Sequence, residues 1–113
     1  NKLTLVDFWA SWCGPCRREM PHVKKLYADF HSKGVEIVGV SFDESKEAWT
    51  GAIASMGLKW PQLSDLKGWQ NEAGQLYGIR SIPATLLIDK QGKIVAFGLR
   101  GAELEAKVAE LLK

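Results

Sequence analysis

A pair of cysteines separated by Gly14 and Pro15 stands between a strongly apolar segment and an amphipathic one, and this junction constrains the fold most. Residues 3–10 (LTLVDFWA) are mostly apolar and predict a buried β-strand. Pro15 suits the first turn of a helix, where its missing N–H is harmless. Apolar residues then recur at helical spacing: Met20, Val23, Leu26, Tyr27 and Phe30. The junction therefore predicts a strand that ends just before a helix that opens at the cysteines.

The rest of the chain continues to alternate between strand and helix patterns. Strand patterns cover 35–42, 84–89 and 94–98, and helix patterns cover 46–56, 69–77 and 102–112. The pairs Trp60–Pro61 and Ser64–Asp65 predict irregular chain. Two strands joined through a helix predict parallel pairing, and the closing hairpin adds antiparallel strands. We expect an α/β fold with a mixed central sheet, helices on both faces and a single domain over residues 1–113.

Composition excludes several classes of protein. The 15 basic and 13 acidic residues leave a net charge of +2, which offers no electrostatic case for binding nucleic acid. Hydrophobic residues make up 46% and charged residues 25%, as in ordinary soluble globular proteins. The apolar runs are too short to predict a membrane span. Two cysteines exclude a disulfide-rich scaffold. We expect the protein to be a monomer.

The amino terminus shows no secretory signal. Asn1 and Lys2 lead directly into the first apolar segment. This abrupt start predicts that the chain is a piece of a longer precursor, so the missing signal says little about the compartment.

Cys13 and Cys16 carry the strongest chemical pattern. A Cys-x-x-Cys pair after a strand and at a helix start is typical of a redox dithiol. Cys13 would lie at the helix N-terminus, where unpaired N–H groups and the helix dipole favour an anion. We therefore expect a lowered thiol pKa and a nucleophilic thiolate. Cys16 would face the same side and attack a mixed disulfide formed at Cys13, which releases the reduced substrate.

The cysteine pair has three other interpretations: half of a zinc site, a structural disulfide, and inert core thiols. Zinc requires four ligands, and the spacing of His22 and His31 from the cysteines fits no usual zinc pattern. We predict no metal. We also predict no bound cofactor, because the dithiol itself carries two electrons.

Two segments carry a family resemblance. Residues 6–16 (VDFWASWCGPC) and 77–89 (YGIRSIPATLLID) resemble thioredoxin, and the likeness extends over nearly the whole chain. Residues 44–76 form an insertion relative to thioredoxin. This insertion and residues 16–21 (CRREMP) resemble the TlpA/ResA branch of bacterial cell-envelope thiol–disulfide proteins. The resemblance implies a thioredoxin fold, with the insertion between a βαβ unit and a C-terminal ββα unit, and dithiol–disulfide exchange.

The resemblance also implies a substrate-binding surface beside the cysteines. Residues 81–85 (SIPAT) match the family's cis-proline loop, so we expect a cis Ile82–Pro83 bond in a loop against the cysteine pair. The backbone of Ile82 would then pair with an extended substrate segment, whereas the alternative is a plain strand-initiating proline. Gly98 matches a family glycine near the substrate groove. The alternative interpretation of Gly98 is that it forms a bulge in the strand. The expected substrate-binding residues are Trp12, Gly14, Pro15, Ile82, Pro83 and Gly98.

Two carboxylates are candidates for proton transfer at Cys16. Strand alternation places Asp7 on the apolar face of the first strand, where burial raises a carboxyl pKa. Thioredoxin has an aspartate at the matching place behind its resolving cysteine. Glu19 shares a helix face with Cys16, and the ResA-like branch has an active-site glutamate there. The alternatives are a satisfied structural carboxylate for Asp7 and a solvated helix residue for Glu19. The family's buried lysine on the second strand is absent, and Gly39 stands at the matching position.

These residues predict an enzyme, a thioredoxin-like protein-disulfide reductase. Cys13 attacks, Cys16 resolves, and Asp7 with Glu19 manages the protons. The dipeptide between the cysteines matches reducing thioredoxins and favours a reductase over an oxidase or isomerase. A thiol peroxidase and a metal- or haem-delivery thiol chaperone are two further candidate functions, although the Pro-x-x-x-Thr-x-x-Cys setting of a peroxidase is absent.

The resemblance further implies partners and a location. The expected partners are disulfide-containing protein substrates and an upstream thiol electron donor, either a membrane thiol transporter or a thioredoxin-type reductase. The expected location is the bacterial cell envelope or periplasm, with a tether before Asn1, and the cytoplasm is the alternative. Trp49, Trp60 and Trp69 lie in or next to the insertion, and an exposed one would indicate a partner surface.

Overall fold

A mixed five-stranded sheet forms the centre of the computed structural model, which describes residues 2–113; the expected segment before Asn1 lies outside them. The spatial order is β3-β2-β1-β4-β5. The three strands β3, β2 and β1 are parallel, and β4 and β5 are antiparallel additions. The strands are β1 (Leu3–Trp9), β2 (Val35–Ser41), β3 (Gln62–Leu63), β4 (Ala84–Asp89) and β5 (Ile94–Phe97). The predicted mixed sheet is confirmed.

Four α-helices connect and cover the strands. They are α1 (Gly14–Phe30), α2 (Lys46–Met56), α3 (Glu72–Leu76) and α4 (Gly101–Leu111). Within residues 2–113 none of these helices has the length and apolar character needed to cross a membrane. Helix α2 begins and ends as predicted, because the Ser45 hydroxyl accepts the Ala48 N–H and Gly57 takes a left-handed φ of 62°.

The structure differs from the sequence-based expectations in the 44–76 insertion. Gln62 and Leu63, predicted to lie in irregular chain, form a short parallel strand at the edge of the sheet. Two residues are too few to show the alternation that identifies a strand. The single helix predicted over 69–77 is split into a 3₁₀ turn (Gly68–Gln70) and α3. Asn71 separates the two because its extended backbone and side chain cap α3.

The two faces of β1 meet different elements. Phe8 packs against Phe42 and Tyr77 on the face that holds α3. Leu3, Leu5, Asp7 and Trp9 share the opposite face. Because β1, β2 and β3 follow one another in one direction across the sheet, right-handed crossovers place α1 and α2 together on that second face. Helix α4 contacts α1, and Asp7 is therefore enclosed between the sheet and the helices.

Two helical glycines allow a matched test of this packing. In α3, a β-carbon at Gly74 would lie 2.5 Å from Cζ of the buried Phe42 ring, whereas in α2 a β-carbon at Gly51 would meet nothing within 4 Å. We predict that Gly74→Ala lowers the free energy of unfolding by about 1–3 kcal/mol, because overpacking outweighs the better helix propensity. Gly51→Ala should raise it by about 0.5–1 kcal/mol.

Urea unfolding of both variants and the parent measures these differences. Stabilisation by both substitutions would contradict the close packing of α3 on Phe42.

Candidate active site

The two cysteines form a disulfide at the amino-terminal end of α1. Cys13 is the N-cap residue, and its Sγ accepts the backbone N–H of Cys16 at 3.2 Å. Cys13 is 5% exposed and Cys16 only 1%. Because Cys13 is the more exposed sulfur and the one that a backbone N–H already contacts, it is the better placed to meet a substrate as an anion.

A buried carboxylate holds the chain that leads into the cysteines. Asp43, just after β2, accepts the backbone N–H of Ser11 through both of its oxygens, at 3.2 and 3.1 Å. The hydroxyls of Ser11 and Ser41 also donate to it. Sequence reasoning missed this residue. The available signal was its place at the carboxyl end of a strand parallel to β1, since such ends meet at the same edge of a sheet.

The loop before β4 lies against the cysteine pair. The Ile82–Pro83 peptide bond is cis, as predicted. The carbonyl oxygen of Ile82 lies 3.8 Å from Cys13 Sγ. Pro83 lines one groove together with Phe97 and Gly98. Gly98 follows β5 with a left-handed φ of 77° and donates its N–H to the carbonyl of Thr85.

Asp7 is buried in the middle of β1. It is 2% exposed, and its neighbours in the sheet are Gly39 on β2 and Thr85 on β4. Burial raises the pKa of the Asp7 carboxyl to about 7, and the nearby charge of Glu19 contributes to this rise. A carboxyl with this pKa exchanges a proton near neutral pH, which is what a general base for a thiol requires.

Glu19 contributes its charge to this region but is bound to another element. Its Oε1 accepts the backbone N–H of Gly101, the first residue of α4, at 2.8 Å. The side chain is half-buried, so it is not simply a solvated helix residue. The structure thus brings Glu19 close enough to Asp7 to raise its pKa, while the carboxylate also ties α1 to α4.

A glutamine side chain covers Gly39 beside Asp7. Gln62 on β3 pairs with Gly39, and its carboxamide occupies the space where a β-carbon of residue 39 would stand. Trp9 Nε1 donates to Gln62 Oε1 at 3.1 Å. The sequence analysis did not identify Gln62, because a two-residue strand predicts neither its register nor the direction of its side chain.

Two exposed tryptophan rings lie against each other beside Cys13, which follows Trp12 in the chain. Trp12 is 55% exposed, and its ring centroid lies 6.1 Å from that of Trp69, which is 50% exposed. Trp69 belongs to the 44–76 insertion, so the insertion reaches the active-site surface. Of the other residues expected at this surface, Pro15 is exposed and Gly14 is half-buried. Trp9 and Trp60, by contrast, are buried in the core.

Metal-ligating residues do not gather in the part of the chain that the structure describes. Between residues 2 and 113, no three His, Cys, Asp or Glu side chains are arranged to hold a metal ion.

Comparison with known proteins agrees with this geometry. A profile of the Redoxin family matches residues 1–112. The thiol-disulfide oxidoreductase ResA of Bacillus thuringiensis is 35% identical over 113 residues, which are 100% of this chain and 63% of that protein. The chain thus spans less than two-thirds of the length of this curated relative.

Solved structures show the same architecture. The thioredoxin domain of a thiol-disulfide oxidoreductase from Bacteroides vulgatus superposes with a TM-score of 0.91 at 38% identity, covering 99% of this chain and 80% of that one. A thiol-disulfide oxidoreductase from Bacteroides fragilis gives a TM-score of 0.91 at 34% identity, covering 97% and 81%. The chain therefore belongs to the Redoxin family, as a thioredoxin-fold domain of the TlpA/ResA-like thiol–disulfide oxidoreductases.

Proposed function

We propose that this protein reduces disulfide bonds in other proteins through the Cys13–Cys16 dithiol. The observation that carries the proposal is the cysteine pair at the N-terminus of α1. Cys13 Sγ accepts a hydrogen bond from the Cys16 N–H and faces the Ile82 carbonyl. The Cys13–Cys16 disulfide is the form in which such a reaction would leave the protein. Two electrons reside in the dithiol, so the reaction needs no bound cofactor.

The reaction proceeds by two exchanges. The Cys13 thiolate attacks one sulfur of the substrate disulfide, the substrate S–S bond breaks, and a mixed disulfide with Cys13 forms while the first substrate thiolate departs. Cys16 then loses its proton and attacks Cys13 Sγ. The mixed disulfide breaks, the second substrate thiolate departs, and the Cys13–Cys16 bond forms. The substrate gains two electrons and the protein loses two.

Asp7 is the proposed acceptor of the Cys16 proton. Cys16 is almost completely buried, so its thiol has little access to water. Asp7 is buried on the face of the sheet that α1 covers, and its raised pKa keeps the carboxyl able to cycle near neutral pH. Glu19 acts on this step through its charge, because that charge makes Asp7 a stronger base.

The proposed substrate is an extended segment of a disulfide-containing protein. The backbone of Ile82 beside Cys13 supports pairing with such a segment. The exposed rings of Trp12 and Trp69 supply apolar area next to the sulfur, which supports docking of apolar substrate side chains. Gly14, Pro15, Pro83 and Gly98 complete the proposed surface.

The proposed partners and location follow from the TlpA/ResA-like character of the chain. We place the protein in the bacterial cell envelope, acting as a monomer on protein disulfides. A membrane thiol transporter or a thioredoxin-type reductase would return electrons to the disulfide.

The roles of the two sulfurs are tested by trapping. Cys16→Ser keeps the attacking thiol and removes the resolving one, so we predict a stable mixed disulfide between Cys13 and the substrate protein. Mass spectrometry of the complex after mild proteolysis identifies the linked residue. Cys13→Ser is the matched control and should trap little or nothing. Equal trapping by both variants would contradict the assigned order.

The proton acceptor is tested by Asp7→Asn, which keeps the shape and removes the base. We predict that resolution of the mixed disulfide slows about 10- to 100-fold at pH 7, near the lower end of general-base effects because thiols ionise readily. In the parent protein the resolution rate should rise as pH increases through about 7, and in the variant this rise should move to the higher pH at which the Cys16 thiol ionises without a base. Stopped-flow tryptophan fluorescence follows both rates; an unchanged profile would return Asp7 to a structural role.

Asp7→Asn also tests how the burial of this carboxyl affects stability, independently of its role in the reaction. In the oxidised protein the Asp7 carboxyl has a pKa of about 7 rather than 3.8, so the folded state holds a proton that the unfolded state has released. Stability therefore falls as pH rises from about 4 to 7, by up to about 4 kcal/mol in total. Asp7→Asn should remove this fall and unfold at higher denaturant than the parent at pH 8, with little difference at pH 4.

Glu19→Gln is the companion variant, because glutamine can still accept the Gly101 N–H while carrying no charge. Since the Glu19 charge raises the pKa of Asp7, the resolution profile should shift to lower pH without loss of stability. A superimposable profile would exclude Glu19 from the proton chemistry.

The docking role of the insertion is tested by Trp69→Ala. Loss of the exposed ring should lower kcat/KM for a protein disulfide about 5- to 50-fold, the range for an apolar anchor at an interface. Reduction of a small disulfide such as dithionitrobenzoate should change little, because it does not reach Trp69. Equal losses for both substrates would show that the variant disturbs Cys13 itself rather than docking.

A further inference from the structure

One buried polar atom near the active site has no partner. Gln62 Nε2 is fully enclosed, yet no group among residues 2–113 accepts its hydrogen bonds. Buried amide groups are normally paired, and leaving one unpaired destabilises the folded state. The position of this atom therefore requires an explanation.

The orientation of the Gln62 carboxamide is fixed by its neighbour. Trp9 Nε1 can only donate, so the atom it contacts at 3.1 Å must be the amide oxygen. The nitrogen is then the free end of the group. It stands 2.9 Å from the place where a β-carbon of residue 39 would be, and Oε1 is closer still. The whole carboxamide thus lies over the glycine of β2.

The register of the sheet places the Asp7 carboxyl on the other side of that glycine. Asp7 pairs with Gly39, and Gly39 pairs with Gln62, so the three positions form one row on one face. Gly39 presents no side chain, and a β-carbon there would collide with the carboxamide. A buried donor without an acceptor and a buried carboxylate thus lie in the same row, and the carboxamide fills the space over the glycine between them.

We infer that Gln62 is a positioning residue for this proton acceptor: its carboxamide, anchored by Trp9, donates Nε2–H to the carboxylate that Asp7 carries after releasing its proton. The inference rests on the proposed role of Asp7. A hydrogen bond to the ionised carboxylate is stronger than one to the protonated carboxyl, so this donor stabilises the charged form that burial disfavours. Gln62 thereby lowers the pKa of the Asp7 carboxyl, which burial raises.

The other groups that the structure describes around Asp7 do not donate a hydrogen bond to its carboxylate. The charge that reaches it is that of Glu19 on α1, which disfavours the ionised carboxylate. Its sheet neighbours Gly39 and Thr85 carry no charge, and the Thr85 hydroxyl donates to the Leu99 carbonyl instead. On α1, the thiols of Cys13 and Cys16 become titratable only after reduction. Gln62 is the neutral donor available in this row.

The decisive measurement is the pKa of the Asp7 carboxyl in the oxidised protein, followed by carbon-detected NMR in the parent and in Gln62→Met. Methionine keeps the length and apolar stem of glutamine and removes the donor. We expect the Asp7 midpoint to move up by about one pH unit, the size expected for losing one hydrogen bond to a charged group. Gln75→Met, the same change at an exposed site on α3, is the control and should leave the midpoint in place.

A second variant covers the outcome in which Gln62→Met does not fold. Gln62→Glu places a carboxylate where the donor was, so the Asp7 midpoint should rise by more than one pH unit. An unchanged midpoint in a folded Gln62→Met or Gln62→Glu variant would overturn the inference and leave Gln62 as a partner of Trp9 only.

The readout requires no turnover, so it separates the inference from the proposed function. An upward midpoint shift together with an upward shift of the resolution profile in Gln62→Met supports both. A shifted midpoint with an unchanged resolution profile would support the hydrogen bond from Gln62 to Asp7. It would also show that neither residue takes part in the reduction reaction.

Discussion

The hydrogen bond from the Cys16 N–H to Cys13 Sγ is the interaction on which the chemistry of this fold depends. It exists because Cys13 caps α1, so that its sulfur occupies the position where a serine or aspartate oxygen would normally satisfy the first free N–H groups of a helix. The same geometry that satisfies a helix terminus also stabilises negative charge on a sulfur. The contact that caps α1 is therefore the same contact that would stabilise a thiolate at Cys13.

Contacts on two sides restrict the position of that sulfur. Asp43 clamps Ser11 at the end of β1, so the short turn between strand and helix has little freedom. On the other side, the Ile82 carbonyl approaches the sulfur from the loop before β4. Elements distant in sequence thus converge on one atom because β1 lies in the middle of the sheet, between β2 and β4.

The buried carboxyl proposed for proton transfer opposes stability. A carboxyl buried as deeply as Asp7 destabilises the folded state at neutral pH, and the charge of Glu19 adds to the effect. Glu19 returns some stability by binding the first N–H of α4. The 44–76 insertion reaches this site at two points, through Gln62 over Gly39 and through Trp69 beside Trp12.

Local patterns in the sequence were sufficient for most of the helices and strands, but not for β3 or for the split of the helix predicted over 69–77. The cap at Ser45 and the strand 84–89 each depend on a few neighbouring residues, and each was predicted. The cis bond before Pro83 was predicted only from the resemblance to thioredoxin, because X-Pro bonds are usually trans. The burial of Asp7 followed from strand alternation. Gln62 and Asp43 were missed because their importance arises where side chains from separate strands meet, which no local pattern encodes. The bond between Glu19 and Gly101 likewise joins residues 82 positions apart.

The central claim is that the helix terminus makes Cys13 an anion under conditions where a free cysteine is still protonated. The most direct test is the rate of alkylation of the reduced protein by iodoacetamide as a function of pH, with the labelled cysteine identified by mass spectrometry. We predict that alkylation of Cys13 reaches half of its maximal rate at a pH clearly below about 8.5, the pKa of free cysteine. A profile for Cys13 that coincides with that of free cysteine would contradict it.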